Sequence, residues 1–214
     1  MTTELTTYTA DDGWDEAAAE TSGRAIQGTL LKFNDWKWTP GKEALPLPEG
    51  TRLVAVKTAA AFVRWEDKRP VEYIWREKGK PLPDREALSM WDDRSEWEIG
   101  LSGDKEDPWR DTRYVYLIDP TTMTAYTFST HSTGGRNAVR DLGDNIARVR
   151  KMRSNPNLVP LVELSAEVMP TKYGKKSKPL FRIVEWGGGS APPEEAPQLE
   201  DAVGVHPMDD SIPF

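Results

Sequence analysis

The chain has 214 residues, a formal net charge of −7, nine tryptophans, two histidines and no cysteine. That length supports one sizeable core plus tails. The missing cysteines exclude disulfides, thiolate metal sites and a cysteine nucleophile, and His131 and His206 alone supply little material for a histidine metal site or a catalytic triad. With no long apolar run and no basic-then-apolar leader pattern, a soluble, cytoplasmic protein without a cofactor is expected.

Charge is segregated along the chain. Residues 1–22 hold six acids and residues 187–214 hold six more, and neither stretch has a Lys or Arg. The body between them, residues 23–186, therefore sets 23 acids against all 28 basic residues, an excess of five positive charges. A basic body between two acidic arms suits a polyanionic ligand that the arms can screen or imitate. We expect residues 1–22 to be a disordered arm, 23–186 a folded domain, and 187–214 a flexible acidic linker ending in a tip.

In chain order, Ala25–Phe33 reads as a first strand, and Asn34–Thr39 follows, with Trp36 and Trp38 on one face if that segment is extended. Pro40 and Gly41 break the pattern. Thr51–Trp65 is the strongest strand signal of the N-terminal half, and Pro70–Arg76 a shorter one with Tyr73 and Trp75 aligned. Arg85–Trp91 fits a helical turn or two, and Glu96–Leu101 alternates like a strand. Arg113–Ile118 and Met123–Thr130 flank the turn residues Asp119-Pro120-Thr121-Thr122, which predicts a hairpin. From Gly134-Gly135 onward, Val139, Leu142, Ile146, Val149 and Met152 recur at helical spacing, with Arg136, Arg140, Arg148, Arg150, Lys151 and Arg153 on the other face. Leu158–Val168 and Pro179–Trp186 read as a last strand pair, joined by the basic loop Thr171–Lys178. Many short strands, one amphipathic helix and no βαβ rhythm predict a mainly β protein, an OB-fold-like β-barrel enlarged by extra hairpins or long loops, with a plain antiparallel sheet under a covering helix as the alternative.

The sequence closes on Met208-Asp209-Asp210-Ser211-Ile212-Pro213-Phe214. Two carboxylates precede an apolar Ile-Pro-Phe, and Phe214 is expected to carry a terminal carboxylate. This ending resembles that of bacterial single-stranded DNA-binding proteins, which finish in aspartates followed by Ile-Pro-Phe. The resemblance implies that Asp209, Asp210, Ile212, Pro213 and Phe214 dock on replication and repair enzymes and compete with DNA for the basic body. It covers the tip and the plan of β body, linker and acidic end; the body itself does not match the common members. Asp107-Pro108-Trp109, the hairpin ending in Ser129-Thr130, the Gly134-Gly135 helix start and the Tyr173-Gly174…Pro179 hairpin are similar to phage-borne replication proteins. Family members assemble so that several OB-folds share one strand, but no interface is legible in this chain.

A protein of this class binds single strands with aromatic platforms that stack on bases and cations that follow the backbone. Aromatic and basic residues interleave at three places: Trp36, Lys37 and Trp38; Lys57, Arg64 and Trp65; and Tyr73, Trp75 and Arg76. Trp36 and Trp38 adjoin polar residues and a proline-rich loop, and are read as platforms. Trp65 and Trp75 fit either platform or core, and Tyr114, Tyr116, Tyr126 and Phe128 are read as core. Lys172, Lys175 and Lys176 form either a solvated hairpin tip or a clamp on phosphates. Gly134-Gly135 can offer backbone N–H groups to a phosphate. It lacks the Lys-Ser/Thr of a P-loop, so nucleotide hydrolysis is not supported. The sequence thus points to a non-catalytic single-stranded DNA binder acting in replication, recombination or repair. A protein-interaction adaptor that carries the same tip without binding DNA is the second reading. A metal-dependent nuclease built on Asp92, Asp93, Asp104 and Asp107 is the third, though these carboxylates lack metal-ligand spacing.

Overall fold

A computed structural model describes residues 25–41, 45–77, 79–89, 93–100, 103–172 and 174–187. The N-terminal arm, the linker and the tip residues Asp209, Asp210, Ile212, Pro213 and Phe214 lie outside the described residues. Among those described, no helix is long and apolar enough to cross a membrane.

Eight strands form one strongly curled sheet. Thr29–Asn34 (β1) and Lys37–Pro40 (β2) make a hairpin; Arg52–Glu66 (β3) and Arg69–Trp75 (β4) make a second. A short helix, Arg85–Ser89 (α1), lies in the connection to Trp109–Ile118 (β5), which turns into Ala125–Thr130 (β6). The long helix Thr133–Met152 (α2) follows, and Val159–Thr171 (β7) and Gly174–Gly187 (β8) close the domain. The sheet order is β2-β1-β6-β5-β3-β7-β8, with β4 also paired to β3. Five of these strands, in the order β6-β5-β3-β7-β8 with α2 between β6 and β7, make the OB-fold-like barrel. The β1–β2 hairpin is added to the edge of β6, and β4 is added from the connection between the first two barrel strands.

The alternation along β5 sorts the aromatic residues. Val115 and Leu117 point into the barrel with Leu31, Leu53, Phe128, Val162, Leu164 and Phe181, where Ala138, Val139 and Leu142 of α2 cover them. Tyr114 and Tyr116 point to the outer face of the sheet, where Ala61 and Val63 of β3 pack against them. Ser132 caps α2 by accepting from the Gly135 N–H. Both glycines of the helix start serve packing. A β-carbon on Gly134 would lie 2.9 Å from that of Lys178, and one on Gly135 would collide with Thr130. Met152, placed on the apolar helix face by its spacing, is exposed in the last turn of α2. The strand expected over Glu96–Leu101 does not form in its described part, up to Gly100: Arg94–Glu96 is a single 3₁₀ turn, and Ile99 makes only an isolated bridge to Lys105.

Candidate nucleic-acid interface

Strand register brings five of the nine interleaved residues together: Lys57, Trp65, Tyr73, Trp75 and Arg76. On the outer face, Ala61 of β3 lies opposite Trp75 of β4 and Thr112 of β5, and Val63 lies opposite Tyr73 and Arg110. In an antiparallel ladder opposed residues share a face. Trp65 joins the same face, since the Arg110 guanidinium lies over its ring at 5.9 Å from the centroid. The aromatic rings form a chain. Tyr73 and Trp75 stack at 5.8 Å between centroids, Trp75 meets Tyr114 at 5.1 Å, and Tyr114 stacks on Tyr116 at 6.5 Å. Tyr114 and Tyr116 are buried and back this row, while Tyr73 and Trp75 reach solvent.

A bulge places the cation. The β3–β5 register slips between Ala55 and Lys57, so Val56 is the extra residue and Lys57 falls opposite Tyr116. Lys57 therefore stands on the aromatic face. Between Val54, which pairs with β7, and Ala61, which pairs with β4, the second edge of β3 has no ladder partner among the described residues. The Arg76 N–H donates to Ala60 O at 2.8 Å, which pins the end of β4 there. The result is a groove of 740 Å³ lined by Lys57, Ala59, Trp75, Arg76, Lys80 and Tyr116, among others. None of the ion pairs among the described residues involves Lys57 or Arg76. Burial holds the phenols of Tyr73, Tyr114 and Tyr116 above their ordinary ionisation range, so they stay neutral.

A second hollow, of 610 Å³, lies between the β1–β2 turn, the start of α2 and the β7–β8 hairpin. Phe33, Met169, Pro170 and Pro179 give it an apolar lining, and Lys172 and Lys176 stand at its rim. Trp36 and Lys37 lie on the β1–β2 hairpin that borders it, and Trp36 is half exposed. Residues 174–178 belong to β8 and not to a loop. Thr171 pairs with Gly174, Pro170 with Lys175 and Met169 with Lys176, so Lys175 and Lys176 project from β8 itself. His131 lies beside this region, and burial followed by the charges of Arg110 and Arg136 pushes its imidazole below the usual value.

Three expectations are corrected. Trp38 is no base platform: it is 5% exposed, in the barrel core against Phe33, Phe128 and Phe181. Trp36 and Trp38 do not share a face, because Asp35 and Trp36 take left-handed φ values of 49° and 68°. Two such residues in succession make a tight hairpin turn, which ends β1 and sends Trp38 inward. Arg64 also leaves the group. It lies opposite Glu72 and Trp109, on the other face from Tyr73, and pairs with Glu66 at 2.9 Å. Of the carboxylates considered for metal binding, Asp93 accepts from the Ser95 N–H and Asp107 pairs with Arg85 at 2.6 Å. No group of three metal-ligating side chains occurs among the described residues.

No family model, curated protein or solved structure matches this chain.

Proposed function

We propose that this protein binds single-stranded DNA without strict sequence preference and, through the Asp-Asp-Ser-Ile-Pro-Phe tip, recruits replication or repair enzymes. The observation that carries this reading is the meeting of Lys57, Trp75 and Arg76 in one groove on the outer face of an OB-fold-like barrel. Barrels of this type take oligonucleotides on the face of their second and third strands and between the loops that follow the first and fourth. Here β5 supplies Tyr114 and Tyr116 to that face. The first loop supplies Tyr73, Trp75 and Arg76, and the last hairpin supplies Lys172, Lys175 and Lys176. Bases stack on the Tyr73–Trp75 row, and phosphates pair with Lys57, Arg76 and the hairpin lysines. Stacking on aromatic faces, which every base can provide, with cations along the backbone suits a sequence-tolerant binder.

Anisotropy of labelled oligo(dT) tests the reading. The wild-type chain should bind at low salt, and Lys57→Ala with Arg76→Ala should weaken binding while leaving the melting temperature in place. Equal affinity of wild type and double variant would show that the strand does not use this groove.

A further inference from the structure

The aromatic groove does not end at the open edge of β3. On the other side of that edge lies a cleft of 590 Å³ between β3, β5 and α2. The two share Thr58, Ala59, Ala60 and Arg76 as lining, so they meet across the unpaired stretch of β3.

Four arginines face this cleft: Arg76 from the end of β4, Arg113 from β5, and Arg136 and Arg140 from α2. Two carboxylates, Asp111 and Asp144, oppose them. Asp111 uses one oxygen for two guanidinium groups, at 3.1 Å to Arg113 and 2.8 Å to Arg136. One charge thus fixes two cations and leaves an excess of positive charge. The Arg136 Nε and the second oxygen of Asp111 are buried without a hydrogen-bond partner. Among the described residues Arg140 pairs with its neighbour Asp141 alone, at 3.3 Å, and it is well exposed. Gly143 completes the lining from the middle of α2, where a β-carbon would meet nothing within 4 Å. Packing does not require a glycine there, and glycine disfavours a helix interior. Its effect is to leave bare backbone facing an arginine-lined opening, the setting in which a ligand comes close to a main chain.

We infer that this arginine cleft is a second subsite that takes the phosphodiester backbone of the same single strand after it crosses β3. The inference rests on the nucleic-acid reading above and extends it. The aromatic groove takes the stacked bases, and the arginine cleft takes phosphates only, since its lining has no aromatic ring. A strand long enough to occupy both makes more ionic contacts than one confined to the groove.

Two lengths of labelled oligo(dT), about 5 and about 15 nucleotides, span the range of site sizes for one such domain. Anisotropy titrations at several salt concentrations compare wild type, Gly143→Glu and Arg140→Ala, with circular dichroism as the check on folding. Wild type should show a steeper salt dependence with the long strand than with the short one. Both variants should bind the short strand as wild type does. With the long strand they should lose affinity, about tenfold for Gly143→Glu, and the log–log salt slope should flatten by about 0.7 for each phosphate contact removed. Unchanged binding of the long strand by both variants would overturn the inference alone. So would an equal loss with both lengths, which would place their effect outside the cleft. Failure of wild type to bind either length would overturn the nucleic-acid reading and the cleft with it.

Discussion

The indole N–H of Trp38 on β2 donates to the main-chain oxygen of Ser165 on β7, at 2.9 Å across the barrel. These residues are 127 positions apart in sequence, and no strand ladder joins β2 to β7. The bond holds the added N-terminal hairpin against the last strand pair, and the ring fills the space between Phe33, Phe128 and Phe181. Replacing a buried tryptophan by alanine costs about 3–5 kcal/mol, so Trp38→Ala should lower stability by that order in urea unfolding. Trp36→Ala, at a half-exposed turn position, should stay within about 0.5 kcal/mol of wild type. The pair of variants separates two tryptophans that look alike in the sequence.

Trp75 is the partly exposed ring between Tyr73 and the buried Tyr114. A base stacked on an aromatic side chain is worth about 1–3 kcal/mol by alanine substitution. Trp75→Ala should weaken oligo(dT) binding by that amount, and Trp75→Phe should restore part of it. Isothermal titration of the two variants checks this. Equal affinities for both variants and wild type would remove Trp75 from the interface.

Alkaline pH should act through the tyrosine row. Tyr73, Tyr114 and Tyr116 hold their protons above the ordinary phenol value of 10.0, because burial disfavours phenolate. The folded chain thus keeps protons that the unfolded chain releases. This contribution to stability is complete below about pH 10 and is lost as the pH rises beyond it. Ultraviolet titration of tyrosinate should show a group of phenols that ionise late, together with loss of the folded signal. Ionisation of every tyrosine at the ordinary value, with the fold intact, would contradict the burial of this row.

The glycines of α2 should respond in opposite senses. Gly135→Ala sets a methyl group against Thr130 of β6, and overpacking of this kind costs about 1–3 kcal/mol. Gly143→Ala meets nothing within 4 Å and should stabilise the helix by about 1 kcal/mol. Thermal melts of the two variants should therefore move to opposite sides of wild type.

Much of the fold was legible because periodicity carries it. The strand at Thr51–Trp65, the hairpin around Asp119-Pro120 and the helix after Gly134-Gly135 are each written in local pattern, and each lies within a few residues of its expected place. The β1–β2 hairpin was not legible. Asn34-Asp35-Trp36-Lys37 turns with a tryptophan at positive φ, which the usual turn residues do not announce. The start of β8 was not legible either: the charge of Lys175, Lys176 and Lys178 reads as a loop, although these residues pair with β7 along an exposed sheet edge, where lysines are common. The groove was half legible. Lys57, Trp75 and Arg76 stand out by composition, but their meeting depends on the Val56 bulge and on β4 ending beside an open edge of β3. Such long-range register leaves no local mark. The helical spacing puts Arg136 and Arg140 on the polar face of α2, but nothing in that pattern says what lies opposite them.

The central claim is single-strand binding on the aromatic face, and intrinsic fluorescence tests it most directly. Full-length protein is titrated with oligo(dT) at two salt concentrations, beside duplex DNA of equal length. The structure predicts quenching by the single strand, carried by Trp75 and its neighbours, weaker at high salt as counterion release loses its force, and absent with duplex. Unchanged fluorescence and unchanged mobility with oligo(dT) at low salt would contradict the claim.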